Sequence, residues 1–107
     1  MRSQLPAIRP PGPMISAANS PWQALEGQIV VIDCDAPFVI VGRLHAEGTS
    51  YLELVEADVH DLRDTSTTRE KYVLEIRRHG VRPNRQRVWV RTSEIVAVSR
   101  LDDVIAE

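Results

Sequence analysis

From residue 28 onward, short apolar runs alternate with compact polar turns, and that spacing predicts strands. Ile29-Val30-Val31-Ile32 is an unbroken β-branched run with poor helix preference, so Gln28 to Asp33 reads as a strand. After the turn Asp35-Ala36-Pro37, Phe38 to His45 reads as a longer strand. Gly42 inside it marks a bend or a close approach of backbones. Glu47-Gly48-Thr49 turns the chain into a third strand over Tyr51 to Ala57. Leu52 and Leu54 fall on one face of it, and Tyr51, Glu53 and Val55 on the other. The stretch Val88 to Val98 reads as two short apolar strands joined by a tight polar turn, with Arg91 at the turn's entrance. Leu101-Asp102-Asp103 ends the core.

Two helices fit between these elements. Ser20-Pro21-Trp22-Gln23 has a capping Ser, a Pro suited to the first helical position and a Gln that completes a capping box, while Gly27 offers a stop. Thr67-Thr68-Arg69-Glu70 resembles a second capping box. Tyr72, Val73 and Ile76 then share one helical face and Gly80 can end it. Tyr72, Leu74 and Ile76 also alternate as a strand would, but caps and length favour the helix. Val81 to Gln86 follows as a loop around Pro83 and Asn84. Residues 1–19, broken by Pro6, Pro10, Pro11 and Pro13, read as a disordered tail, with Met14 a second possible start. The domain then spans 20–107, with a helical insertion over about 58–86. One short helix and five strands make a mainly β domain. A bent five-stranded antiparallel barrel is the economical arrangement.

Charge is unevenly spread. The net charge of the 107 residues is −2, yet 69–91 holds eight basic and two acidic side chains while 23–68 holds two and nine. Twelve of the thirteen basic residues are arginine, whose planar fork suits phosphate and carboxylate. The same polarity suits head-to-tail self-assembly. Aromatics make up only 5%, so Trp22, Tyr51, Tyr72 and Trp89 are expected to have structural roles. No apolar run approaches the roughly 20 residues that cross a bilayer. Without a signal-peptide core, and with Cys34 as the single cysteine, the expected setting is a reducing cytoplasm without membrane contact.

The chain resembles the Sm and Sm-like (LSm) proteins, which include bacterial Hfq. Gly42 and Leu44 match the glycine and leucine of that family's first block, and Tyr51 and Val55 fall at its later apolar positions. Val88, Val90, Arg91, Ile95 and Val98 match its second block, an apolar strand, Arg-Gly, and an apolar strand. The resemblance covers about residues 20–101, interrupted by the insertion. It implies a homo-oligomeric ring, a hexamer or heptamer, in which Arg87–Arg91 and Ile95–Leu101 pair with neighbouring copies. It also implies noncovalent RNA binding. The departures bear on specificity: Gly48 replaces the turn aspartate, Ser50 the ring that stacks on a base, Leu52 the asparagine that holds it, and Thr92 the glycine after the arginine.

The candidate RNA contacts are Arg91 and Tyr51 at the turns, with Arg77, Arg78, Arg82, Arg85 and Arg87 as a phosphate-tracking surface. Against these stand an Arg91 paired with an acid across a subunit contact, a core role for Tyr51, and a solvated helix face for the remaining arginines. The aromatics that would interleave with arginines on a single-strand platform look absent. An assembly or interaction module without nucleic acid is therefore the alternative. Asp58, His60, Asp61 and Asp64 read as a solvated acidic loop matching no zinc pattern. His45 and His79 read as surface residues. Cys34 reads as an unreactive thiol, and no histidine is placed to form a triad with Ser93. Neither a cofactor, a metal nor an enzyme activity is expected.

Overall fold

The computed structural model describes residues 21–106. The expected tail, the Ser20 cap and both possible starts lie outside them. A short helix α1 (Pro21–Leu25) precedes β1 (Ile29–Cys34), β2 (Phe38–Glu47) and β3 (Tyr51–Asp61). Helix α2 (Arg69–His79) follows, then β4 (Arg85–Arg91) and β5 (Ile95–Arg100). The strands form one antiparallel sheet in the order β4-β3-β2-β1-β5. The last two strands are therefore not partners. β4 adds to β3 and β5 adds to β1, so they are the two open edges.

Gly27, at φ +82°, ends α1 in a conformation that favours glycine. Its N–H donates to the Leu44 carbonyl at 2.7 Å, and the Leu44 N–H donates to Gln28 at 2.9 Å, which ties the helix exit to β2.

Of the bend or close approach expected at Gly42, the close approach is present. A Cβ there would lie 2.7 Å from the Ala57 Cβ, so only glycine lets β2 and β3 close this tightly. The register slips at the same place, between the Val41–Asp58 and Arg43–Val55 pairs, and Glu56 sits at φ 51° beside the slip. On the inner face, Val30, Ile32, Ile40, Leu44, Leu52, Leu54, Ala57 and Val90 form the main core.

The helix of the insertion packs back onto the sheet. Tyr72, Val73 and Ile76 of α2 pack on Val31, Val39 and Val41, on the outer face of β1 and β2, with Leu101 completing the layer. β1 is thus buried on both faces, which explains why its apolar run does not alternate. Thr68 caps α2 by accepting from the Lys71 N–H at 3.1 Å, and Gly80 ends it by donating to Ile76 at 2.7 Å. The cap is one residue later than the expected box, because Lys71 rather than Glu70 occupies the position that Thr68 reaches.

β3 is also longer than expected. Asp58, His60 and Asp61, read as loop, are strand residues paired to Val41, Val39 and Phe38. The other side of this segment is served by a side chain. Asn84 Nδ2 donates to the Val59 carbonyl and its Oδ1 accepts from the Val59 N–H, each at 3.0 Å, as a neighbouring strand would.

Candidate nucleic-acid interface

Two turns meet at one end of the sheet. The β2–β3 turn carries Thr49 and Ser50, and a single 3₁₀ turn, Thr92–Glu94, joins β4 to β5. The Thr92 N–H donates to the Ser50 carbonyl at 2.9 Å, and its hydroxyl reaches the same oxygen at 3.2 Å. Beside this strap Tyr51 and Arg91 are direct cross-strand partners. Their neighbours Leu52 and Val90 are buried, so strand alternation turns Tyr51 and Arg91 outward. Thr49, Ser50, Tyr51, Arg91, Thr92 and Ser93 line an open hollow of about 320 Å³. Among the described residues the Arg91 side chain has no hydrogen-bond or ion-pair partner, which leaves its guanidinium free for a ligand.

Tyr51 is 46% exposed and Trp89, next along the same face of β4, is 61% exposed. The core role expected for Tyr51 is overturned, because the leucines flanking and following it take the inner face. Trp22 and Tyr72 do pack in the two cores. Aromatics interleaved with arginines are therefore present after all: Arg87, Trp89 and Arg91 alternate on the outer face of β4.

The other arginines fall into two groups. Arg77, Arg78 and Arg82 are exposed around α2, which lies over β1 and β2. Arg82 lines a hollow of about 310 Å³ there with Asp58, Tyr72, Glu75, Ile76, His79 and Gly80. Arg85 and Arg87 are on β4, at the edge. Arg85 donates to the Asn84 carbonyl at 3.0 Å, and Arg87 pairs with Glu53, which also lies 3.4 Å from His45 Nδ1. His45 and His79 are exposed, His79 beside Glu75 at 3.4 Å.

The acidic segment has structural work. Asp58 accepts from the Tyr72 hydroxyl, and His60 stacks on the Tyr72 ring at 4.1 Å and 13°. Burial, followed by the Asp58 carboxylate, raises the Tyr72 hydroxyl far above the tyrosine range and keeps it a donor. Asp61 accepts from the backbone and the guanidinium of Arg63, so Arg63 chiefly holds its carboxyl down to about 2. Asp33 on β1 meets Arg69 of α2 at 3.1 Å, and Arg69 also donates to the Phe38 carbonyl at 3.2 Å. Among the described residues no three His, Cys, Asp or Glu side chains converge as a metal site. Burial pushes the Cys34 thiol up, against a weaker downward pull from Arg69, which keeps it protonated and unreactive. No helix among the described residues is long and apolar enough to cross a membrane.

No protein-family model matches the chain, and no curated protein matches it by sequence. Solved structures do match. An Sm protein of Pyrococcus abyssii, solved in complex with a uridine heptamer, superposes with a TM-score of 0.51 at 15% identity, over 74% of this chain and 90% of that one. The Sm-like protein AF-Sm2 of Archaeoglobus fulgidus superposes with a TM-score of 0.52 at 15% identity, over 83% of this chain and 99% of that one. These likenesses establish that the chain has an Sm-like fold.

Proposed function

We propose that this Sm-like fold is a noncovalent RNA-binding module whose copies assemble edge to edge into a ring. The observation that carries the reading is the hollow where unpartnered Arg91 faces exposed Tyr51 across β4 and β3, walled by the hydroxyl-bearing Ser50, Thr92 and Ser93. A guanidinium there neutralises phosphate or stacks on a base, the tyrosine ring offers a second stacking surface, and the hydroxyls donate to sugar and phosphate. Arg87 and Trp89 extend the same face. Ring formation is supported by the open β4 and β5 edges, each of which presents backbone groups that a neighbouring copy would satisfy. The chemistry needed is recognition alone, and no catalytic step is assigned.

The test is binding of mixed single-stranded RNA to the full chain by fluorescence anisotropy over a salt series, with native mass measured in parallel. Affinity is expected to fall steeply as salt rises, and Arg91→Ala to weaken it on the order of tenfold. Absence of binding at low salt overturns the RNA reading, and a strict monomer overturns the ring.

One observation favours the alternative, an assembly or protein-interaction module without nucleic acid. Leu52 is 0% exposed and offers the hollow no polar group where an asparagine would hold a base. Charge reversal at Arg82 and Arg85 separates the readings: loss of assembly with no change in RNA binding favours the alternative. So does a purified assembly whose absorbance ratio is untouched by nuclease.

A further inference from the structure

The Tyr51 ring is a wall shared by two hollows. On one side is the Arg91 hollow. On the other, Ala46, Glu47, Gly48, Tyr51, Glu53 and Trp89 line a second, of about 250 Å³. Its shape follows from the register. Glu53 is opposite Trp89 and beside Ala46, so one strand step carries the outer face from the Tyr51–Arg91 pair to the Glu53–Trp89 pair. Two large aromatic side chains are thus exposed at a hollow that also holds two carboxylates.

The carboxylates differ. Glu53 is engaged by Arg87 and His45 and holds the floor in place. The carboxylate of Glu47, at the end of β2, has no hydrogen-bond or ion-pair partner among the described residues. An ionised carboxylate only accepts hydrogen bonds. A planar ring lying between Tyr51 and Trp89 would satisfy it by presenting an N–H₂ edge. Adenine and cytosine carry an exocyclic amine with two donors; uracil has a carbonyl oxygen in place of that amine and keeps only its N3–H to donate, so it serves the carboxylate less well.

We infer that the Tyr51–Trp89 hollow is a second nucleotide subsite, next to the Arg91 hollow along one strand of RNA, and that Glu47 makes it select a base with an exocyclic amine over uracil. This rests on the RNA reading above. The occupant is argued from complementarity on both sides of the base. Arg91, two residues along β4 from Trp89, meets the adjoining phosphate, Arg87 stays with Glu53, and the aromatic rings take the faces of the base while Glu47 takes its edge. A protein partner would have to offer this hollow a cationic side chain, beside the unpaired Arg91 guanidinium that repels one.

The test uses the full chain and fluorescein-labelled oligoadenylate, oligocytidylate and oligouridylate of equal length, by anisotropy at about 50 mM salt. Wild type is expected to bind the adenylate and cytidylate strands more tightly than uridylate, on the order of tenfold. Trp89→Ala, at an exposed position that leaves the core intact, is expected to weaken adenylate and cytidylate binding about tenfold. Glu47→Gln is expected to shrink the gap between cytidylate and uridylate, because an amide can donate to uracil. Equal binding of all three strands, a preference for uridylate, or a Trp89→Ala variant that binds as wild type overturns the subsite while the RNA reading stands. Failure of every strand to bind overturns both. Binding of an arginine- or methyl-lysine-bearing peptide, lost in Trp89→Ala and without RNA binding, reassigns the hollow to a protein ligand and also overturns the inference.

Discussion

Thr92 holds Ser50 by two hydrogen bonds to one carbonyl oxygen, from its backbone N–H at 2.9 Å and from its hydroxyl at 3.2 Å. A glycine at this position would supply only the first. The second fixes the turn that follows Arg91 against the turn that precedes Tyr51. Thr92→Val keeps the branched shape and removes the hydroxyl. It is expected to lower stability by about 1 kcal/mol, read as a shift of the urea midpoint at constant slope. An unshifted midpoint would mean that the backbone bond alone carries the strap.

Gly42 and Ala57 are coupled by contact. A methyl at 42 would lie 2.7 Å from the Ala57 Cβ and 3.0 Å from its Cα. Gly42→Ala is expected to destabilise the fold by about 1–3 kcal/mol, the usual range for overpacking. Ala57→Gly in the same chain is expected to recover part of that loss. The double-mutant cycle is the measurement, and strict additivity of the two changes would place the strain elsewhere.

The Arg69–Asp33 pair joins α2 to β1. Both side chains are about a third exposed, so water screens them, and a coupling of about 1 kcal/mol is expected from a cycle of Arg69→Met and Asp33→Asn. The more telling readout is local. Amide exchange in α2 should quicken in either variant ahead of exchange in β2 and β3, because the helix loses a tether while the inner core is untouched.

Asp61 gives the acid response a defined sign. Its carboxyl is lowered from 3.8 to about 2 by the hydrogen bonds of the Arg63 side chain and backbone. A lowered carboxylate contributes stability above its unfolded value, and that contribution fades as pH falls through the folded one. The stability difference between wild type and Asp61→Asn is therefore expected to be constant above about pH 5 and to shrink between about pH 4 and pH 2. NMR titration of the carboxyl checks it directly, and a midpoint near 4 would mean that Arg63 leaves it in water.

The elements readable from pattern alone were those whose partners lie close in the chain. The leucine alternation of β3, the close approach at Gly42 and the Gly80 stop each follow from a local rule. What escaped depended on distant contacts. Asp58, His60 and Asp61 look like loop because nothing nearby shows that β2 pairs with their backbone, that the Tyr72 hydroxyl meets Asp58 and that the Tyr72 ring covers His60. Tyr51 looked like core because aromatics are few, yet parity with Leu52 already turns it outward. The same parity, set by Val88 and Val90, turns Trp89 outward. The burial of Val31 beneath α2 was signalled by the unbroken β1 run, but not which element covers it.

The two open edges belong to different strands, β4 at one end of the sheet and β5 at the other. Joining β4 of one copy to β5 of the next consumes one edge of each kind and regenerates one of each, so the contact has a direction and no natural stopping point. Growth of that kind ends only when the last copy meets the first, and the rotation between successive copies decides whether it does. In the proposed ring, subunit number is then a property of that rotation alone. A few degrees between successive copies would separate a closed assembly from an endless one, with the same pair of edges joined at every contact.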